Sequence, residues 1–208
     1  EVLLDMAVEK LPSPLVAQEY RIPNIWQGDL DSEVGKTMTN CDADGPLSLM
    51  ITKIWMDPHA GEVAVGRVYS GTIKQGETVW ASGAGKAERV QQVSMMVGGD
   101  RIQVPGVSAG NIAALTGVRS AAAGVTISRD KDETPFEAIR HYSEPVVTVA
   151  IEPKSMKDLP KFIGALRSLA KSDASLSVDT NHETGEALLS GMGELHLEIT
   201  IYRLEEEQ

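Results

Sequence analysis

Leu188-Leu-Ser-Gly-Met-Gly-Glu-Leu-His-Leu-Glu-Ile199 is the stretch of the sequence from which the fold can be worked out. A short apolar run here meets two glycines, Gly191 and Gly193, on either side of Met192. Glycine tolerates positive φ and close backbone approach, so a strand can end here and turn sharply. Glu194 follows, where a carboxylate favours the N-terminus of a helix. The stretch therefore predicts a strand, a tight turn and a second element in direct succession.

The composition is that of a chain able to form hydrophobic cores. Its 208 residues suit one large domain or two small ones. Apolar residues make up 42% of the chain but aromatic residues only 4%, so the cores must be mainly aliphatic. The single cysteine, Cys41, excludes an internal disulfide and fits a reducing compartment. No apolar run approaches the roughly 20 residues of a membrane span and no leader pattern opens the chain, so we expect a cytoplasmic protein.

Both ends of the sequence are unusual for a complete protein. It opens at Glu1 instead of a methionine and closes on Glu205-Glu206-Glu207-Gln208. Three acids in the last turn of a helix oppose the helix dipole. We expect the chain to be an excised piece of a longer parent.

The net charge of −11 is unevenly distributed. Residues 1–44 carry −6, residues 45–135 carry +1 and residues 136–208 carry −6. Phosphate affinity comes from Lys and Arg, so a chain this acidic is a poor general nucleic-acid binder. Any RNA contact is expected to be local and concentrated in the middle segment.

The first 45 residues predict one helix followed by irregular chain. Val2–Leu11 carries a helical apolar stripe that Pro12-Ser13-Pro14 ends. Leu15–Gly35 has no clear period and is interpreted as a linker. Gly35-Lys36-Thr37 imitates the end of a phosphate-binding loop, but Leu30 stands where that motif needs a glycine. We expect no nucleotide cofactor to be held here.

From Pro46 the pattern becomes all-β. Short alternating runs are separated by turn glycines, which is typical of a barrel whose closure removes exposed strand edges. The predicted strands are Leu47–Trp55, Glu62–Tyr69, Thr78–Ala81, Glu88–Val97, Arg101–Val104, Asn111–Thr116 and Val125–Ser128.

After Pro135 the period changes to a β-α-β-β-α order. Val146–Ile151 is a dense apolar strand, and Asp158 can cap a helix with one apolar stripe. Ser175–Asp179 and Ala187–Ser190 are predicted to form a hairpin around Asn181–Gly185. The last element is ambiguous because its apolar residues alternate as in a strand, yet form two opposite stripes when drawn as a helix.

Little in the sequence indicates a catalytic or metal centre. The four histidines, His59, His141, His182 and His196, are scattered. His196 and Glu198 are two residues apart, which is the wrong spacing for one helix face. We expect no catalytic residue, no bound metal and no enzymatic activity in this chain.

Five strings of the sequence resemble one protein family. Ser190–Glu198 resembles the third-domain signature of ribosomal translocases, the elongation factor 2 and elongation factor G family. Arg67–Glu77 and Ala109–Gly117 resemble the second-domain barrel that translational GTPases share. Ser143–Val147 and Ile151–Lys154 also resemble the third domain. The residues of these strings are more similar to elongation factor 2, the archaeal and eukaryotic type, than to the bacterial elongation factor G.

The resemblance implies a mainly β and α+β chain with three parts. Residues 1–41 would be the end of a GTP-binding domain and a linker, and 42–135 a translation-factor β-barrel. Residues 136–208 would be a truncated ferredoxin-like (β-α-β-β-α) third domain, with a helix as the last element. GTP and Mg²⁺ would be bound by a domain of the parent that lies outside this sequence.

The resemblance also implies partners. The barrel of that family docks on the small ribosomal subunit, contacting rRNA and protein, while the third domain packs against other domains of the same factor and couples nucleotide state to tRNA and mRNA movement. Candidate contacts are the barrel bases, each of which could equally be a solvated surface base, and the signature residues: Arg67, Lys74, Lys86, Arg89, Arg119, Gly191, Gly193, Glu194 and His196.

Two further expectations stay open at this point. A self-contained barrel adaptor that binds protein or oligonucleotide, or a release or initiation GTPase, would share parts of this pattern. Val146–Ile151 is flat, β-branched and uncharged, and in a ferredoxin-like sheet without a fourth strand it would be an open edge. We therefore expect either self-association through this strand or a loosely held third domain.

Overall fold

A computed structural model describes residues 2–57, 60–82, 86–137, 145–153, 155–173, 175–181 and 186–206 of the chain. The chain divides into two compact units, Glu1–Ala138 and Ile139–Gln208. No helix among these residues is long and apolar enough to cross a membrane. The predicted hairpin turn around Asn181–Gly185 lies mostly outside the described residues, and so do His59, His141 and His182.

The first unit begins with three helices, α1 (Val2–Lys10), α2 (Pro14–Ile25) and α3 (Glu33–Thr39). The expected linker over Leu15–Gly35 is thus largely helical, which corrects the sequence-based interpretation. The pattern was obscured because α2 buries a polar residue, Gln18, between Ala17 and Ile22, and because it tolerates Pro23 inside the helix. The Gln18 Nε2 donates to the carbonyl oxygens of Met38 and Tyr69, so the amide nitrogen of this buried side chain is satisfied.

Ten short strands follow the helices. They are β1 (Ser48–Asp57), β2 (Gly61–Ser70), β3 (Thr72–Lys74), β4 (Thr78–Ala81), β5 (Ala87–Arg89), β6 (Gln92–Val97), β7 (Asp100–Val104), β8 (Gly106–Ser108), β9 (Ile112–Thr116) and β10 (Thr126–Ser128). Eight form one antiparallel sheet in the order β5-β4-β10-β1-β2-β9-β6-β7, and β3 pairs separately with β8. The predicted run Glu88–Val97 is two strands, and β3 and β8 are additions to the predicted set.

The sheet wraps around one aliphatic core. Inward residues of the long strands, such as Leu49, Ile54 and Val68, are fully or almost fully buried, and they pack with residues from the two-stranded pair, including Ile73. Gly71 sits at a corner with φ +74°, where a Cβ would lie 2.7 Å from the Gly45 carbonyl oxygen. Only glycine fits this position, so the Arg67–Glu77 string has a structural reason for its glycine.

A second, smaller core joins α2 and α3 to the segment that leaves the barrel. Trp26 and Phe136 form an isolated bridge, and both side chains are buried with Ile22 and Met38. The Trp26 Nε1 donates to the Thr134 carbonyl oxygen at 2.7 Å, and the Phe136 ring lies 4.7 Å from that of Tyr69. We call this pairing of Trp26 with residues 134–136 the clasp.

The second unit has the predicted β-α-β-β-α order. Its elements are β11 (Val147–Ile151), a 3₁₀ turn (Met156–Asp158), α4 (Leu159–Ser172), β12 (Ser177–Thr180), β13 (Ala187–Gly191) and α5 (Glu194–Glu206). The sheet order is β11-β13-β12, so β11 and β12 are its two edges. Asp158 occupies the N-cap of α4 without a capping side-chain hydrogen bond, contrary to the expectation from its residue type.

The predicted fold class, a β-barrel followed by an α+β domain, is confirmed. The ambiguous last element is a helix, α5, which buries Leu197 and Leu204 and leaves Leu195, Ile199 and Tyr202 exposed. The alternating pattern therefore came from two helical stripes, of which one covers the sheet.

Candidate functional site

The turn between β13 and α5 is the best-defined feature of the second unit. Gly191 ends the strand and is itself buried, and a Cβ there would lie 2.8 Å from Leu197 Cδ2 and 3.1 Å from His196 Nδ1. The absence of a side chain lets the first turn of α5 close onto the strand. Gly193 differs, because a Cβ at that position would meet nothing within 4 Å.

His196 holds the turn from inside the helix. The Met192 backbone N–H donates to His196 Nδ1 at 3.3 Å, and His196 Nε2 lies 3.2 Å from Asp173 Oδ2. Because Nδ1 accepts a hydrogen bond, the neutral ring carries its proton on Nε2 and donates it to Asp173. This arrangement works like a capping box, in which a side chain of the first turn accepts from the backbone before the helix.

Asp173 is the partner that the sequence does not reveal. Burial alone would raise the pKa of this carboxyl, but hydrogen bonds from Ser175 and His196 outweigh burial and lower it. The Ser175 N–H and hydroxyl both donate to Oδ1, at 2.9 and 2.5 Å. Asp173 is therefore an ionised acceptor that links the end of α4 to the start of α5.

Glu194 is the first residue of α5, as predicted from the dipole argument. It is exposed, and so is the stripe that contains Leu195, Ile199 and Tyr202. Within the second unit, the signature string thus has a buried half that fixes the turn and an exposed half that is available for contact.

The barrel bases fall into separate groups. Arg67 lies on β2 with its guanidinium 5.9 Å from the centre of the Tyr69 ring, a cation–π arrangement. Its positive charge also reaches the Cys41 thiol, although burial prevails there and raises the pKa of the thiol.

Lys86 and Arg119 are brought together by Glu88. Lys86 Nζ lies 3.8 Å from Glu88 Oε1, with the Lys86 side chain 71% exposed and that of Glu88 only 8%. Burial would raise the pKa of Glu88, but hydrogen bonds from Ser120 and the charge of Lys86 lower it overall, and the Arg119 backbone contributes a further hydrogen bond. One acid therefore anchors two of the predicted contact residues.

Lys74 and Arg89 lie at the next corner of the barrel. The Arg89 Nε donates to the Gly76 carbonyl oxygen at 3.1 Å, and the Lys74 backbone N–H donates to Glu77 Oε2 at 3.0 Å. Glu77 also pairs with the Nε of Arg129, and the Nη2 of Arg129 donates to the Thr72 carbonyl oxygen. Lys74 and Arg89 are both exposed, and Glu77 and Arg129 lie beside them.

Glu133 is an acid in a buried environment that sequence reasoning missed. It lines a cavity of about 490 Å³ together with Trp26, Asp130 and other residues of the first unit, and its Oε1 is buried without a hydrogen-bond partner in the described structure. Burial, strengthened by the charge of Asp130 and opposed by the Ser48 hydroxyl, raises its pKa to about 7. Its place in a charged stretch of sequence gave no signal of this burial.

No cluster of three metal-ligating side chains occurs in the part of the chain that the structure describes. The features that remain as a site are the exposed bases on the barrel and the turn at 191–196. Both are suited to contact with a macromolecule.

Two family models match the chain, one on each unit. Residues 61–128 match elongation factor Tu domain 2, and residues 142–208 match elongation factor G domain III. A crystal structure of a protein from Thermus thermophilus aligns with 99% of this chain and 27% of its own, at 28% sequence identity and a TM-score of 0.71.

Archaeal relatives match over the whole length of the chain. Elongation factor 2 of Picrophilus torridus is 57% identical over 207 residues, and that of Thermoplasma acidophilum is 55% identical over 207 residues. Elongation factor 2 of Thermococcus kodakarensis is 55% identical over 206 residues. In each case the chain spans 28% of the relative's length. With both units matched and more than half of its residues identical to these factors, the chain belongs to the elongation factor 2 family and corresponds to its second and third domains.

Proposed function

We propose that this chain is the barrel and third-domain part of a ribosomal translocase, a GTPase that drives tRNA and mRNA movement in protein synthesis. The observation that carries this proposal is the identity to archaeal elongation factor 2 across both units without interruption. A self-contained adaptor would need only one of the two matched domains.

The barrel supplies the contact with the small ribosomal subunit. Its exposed bases Lys74, Lys86, Arg89 and Arg119 lie on loops and strand ends, and Arg67 lies on β2 beside Tyr69. Each base can neutralise a phosphate of rRNA. Because residues 45–135 carry a net charge of only +1, the electrostatic part of the affinity is small and sensitive to salt.

The second unit supplies contacts with other domains of the same factor. The exposed stripe of α5, Leu195, Ile199 and Tyr202, is a large apolar surface beside the signature turn. Helix α1 in the first unit buries none of its residues, and its apolar side chains are exposed. Apolar faces of this kind are typical of surfaces that another domain covers. Gly191, Gly193, Glu194 and His196 would then set the position of α5 for coupling.

GTP and Mg²⁺ belong, in this proposal, to another domain of the parent. No glycine-containing loop of this sequence combines both glycines of the phosphate-binding motif with its Lys-Ser/Thr, since Gly35-Lys36-Thr37 has Leu30 in place of the first glycine. Isothermal titration calorimetry of the chain with GTP and Mg²⁺ is expected to show no binding. Micromolar affinity would contradict this assignment of the nucleotide site.

Cosedimentation with archaeal ribosomes tests the main proposal. We expect weak binding at low salt that is lost by about 0.5 M salt, because a barrel with a net charge of only +1 neutralises about two or three phosphates at once. Reversing the charges of Lys86 and Arg119 should weaken the binding several-fold, whereas reversing Lys10 and Lys36, which lie outside the barrel, should not. Binding that survives high salt, or that ignores both changes, would contradict an rRNA-docking role for the barrel.

A further inference from the structure

The second unit carries a basic surface that its overall charge conceals. Residues 136–208 have a net charge of −6, yet residues 157–172 contain four bases and one acid. Helix α4 itself, Leu159–Ser172, contains three of those bases and no acid. The charge of the unit is therefore polarised toward this helix.

The bases of α4 share one side of the helix. At 100° per residue, Lys161, Arg167 and Lys171 fall within an arc of about 120°. The opposite side carries Leu166, which is 2% exposed and lines a groove together with Val178 and Ala187. Lys161 and Arg167 are exposed, and Lys171 is half-buried. We call the side that bears these three bases the basic face.

The centre of the basic face has no bulky side chain. Gly164 and Ser168 lie between the bases, and a Cβ at Gly164 would meet nothing within 4 Å. Protein–protein interfaces are centred on apolar and aromatic residues and are depleted in lysine. A phosphate backbone, in contrast, is bound by Lys, Arg and small hydroxyl donors. The chemistry of this face fits a polyphosphate chain better than a protein.

The length of the basic face fits several phosphates. Lys161 and Lys171 are ten residues apart, which is about 15 Å along the helix. Lys157, exposed in the 3₁₀ turn before α4, extends the row at its N-terminal end. A strand of nucleic acid lying along the helix would place about three phosphates within reach of these side chains.

Arg167 and Lys171 also border a groove between α4 and the edge strand β12. The groove has a volume of about 570 Å³ and a largely apolar lining that includes Ile163, Val178 and Ala187, and Asp179 is its one acidic lining residue. An apolar groove beside a row of cations can receive an unpaired base while the backbone stays on the cations. This favours a single strand over a duplex.

We propose that the basic face of α4 is a second RNA-contact surface, separate from the barrel bases, which binds the phosphate backbone of single-stranded RNA. The inference rests on the proposed function, because it adds a contact to the same ribosomal partner. It is tested with RNA alone, so that its failure can be told apart from a failure of ribosome binding.

The experiment measures binding of the whole chain to a fluorescein-labelled 12-nucleotide oligouridine by anisotropy between 20 and 200 mM salt. For Lys161→Glu/Arg167→Glu we expect at least about a tenfold loss of affinity at low salt. The slope of log K against log salt should fall by about 1.4, since a single strand loses about 0.7 per phosphate contact. The matched control, Lys10→Glu/Lys53→Glu, changes the net charge equally at exposed sites elsewhere and should change the slope little.

Two further measurements sharpen the test. A second pair of substitutions distinguishes the loss of a contact from added charge repulsion, and a second probe distinguishes RNA binding from general anion binding. Lys161→Gln/Arg167→Gln should lose the same contacts without the repulsion, and circular dichroism should show folded protein for both pairs. A 12-residue polyglutamate peptide should bind at least tenfold more weakly than the RNA.

The proposal is overturned if the chain fails to bind oligouridine at 20 mM salt, if α4 and control variants behave alike, or if polyglutamate binds as well as RNA. In those cases ribosome binding through the barrel is unaffected.

Discussion

Glu133 shows how one residue can make the stability of the first unit depend on pH. Its carboxyl is half-buried in the cavity beside Trp26, near the charge of Asp130, and its pKa is raised to about 7. An unfolded glutamate has a pKa of about 4.3. The folded protein therefore binds a proton that the unfolded chain releases, so the contribution of this group to stability is full below about pH 4.3 and is lost as the pH rises through 7.

Glu133→Gln should remove this dependence. Above pH 7 the neutral amide avoids burying a charge, so the variant should be more stable than the parent at pH 8, by about 1–2 kcal/mol after allowance for partial solvation of the site. Below about pH 4.3 the variant and the parent should have similar free energies of unfolding, because Glu133 is then protonated in both the folded and the unfolded chain. Urea unfolding at pH 4.5, 6 and 8, followed by tryptophan fluorescence, measures the difference.

The control for this prediction is Asp44→Asn, which removes a negative charge from an exposed position that does not line the cavity. The free energy of unfolding of this variant should change with pH in the same way as that of the parent. The reason is that folding does not bury the charge of an exposed carboxylate. Parallel curves for Glu133→Gln and the parent would show that burial of Glu133 does not govern this pH range.

Gly191 and Gly193 offer a second comparison between single residues. Gly191→Ala would push a methyl group against Leu197, which is 2% exposed, and should destabilise the second unit by about 1–3 kcal/mol. Gly193→Ala enters open space and should cost less than about 1 kcal/mol. Thermal unfolding followed by far-UV circular dichroism distinguishes the two, and equal losses would contradict the packing argument.

At the residue scale, the sequence indicated which residues form the signature turn, but it did not indicate which residues they contact. The glycines and Glu194 of the signature turn could be assigned from local rules. The pairing of His196 with Asp173, 23 residues earlier, and the burial of Glu133 depend on chain segments that meet only in the fold. Long-range burial leaves no local pattern to recognise.

At the element scale, prediction succeeded where one period dominated. The alternation of β1 and β2 and the apolar stripe of α4 were identified from the sequence with boundaries near those observed. Helix α2 was missed because buried Gln18 and internal Pro23 break its apolar stripe. Strand β3 was missed because three residues are too few to show alternation.

Strand β11 carries the element-scale prediction. It is an edge of its sheet, paired with β13 on one side, and it contains no charged residue to discourage a second chain from adding to it. We expect the protein to self-associate at high concentration through this strand. Ala150→Lys, which places a charge on an exposed position of the edge, should shift sedimentation-velocity profiles toward monomer.

The control for this prediction uses the opposite edge of the same sheet. Thr180→Lys adds a charge to an exposed position of β12 and should leave the self-association of the parent unchanged. A protein that stays monomeric at millimolar concentration would contradict the prediction. A larger effect of Thr180→Lys would assign the association to β12 instead.

At the scale of the whole molecule, the two units each have their own core, so they are expected to unfold separately. All three tryptophans, Trp26, Trp55 and Trp80, belong to the first unit. Tryptophan fluorescence should therefore report only that unit, while circular dichroism at 222 nm also reports α4 and α5. We expect the two urea transitions to differ, and coincident curves would show that the units unfold together.

The clasp has a mechanical consequence for the first unit. Trp26 precedes the first strand of the barrel and residues 134–136 follow its last strand, so their contact closes the chain into a ring around the barrel. A pulling force applied across the unit would first load the Trp26–Thr134 hydrogen bond and the buried rings of Trp26 and Phe136. The strands between them would carry tension only after this contact had opened, so the clasp shields the barrel from force transmitted along the backbone.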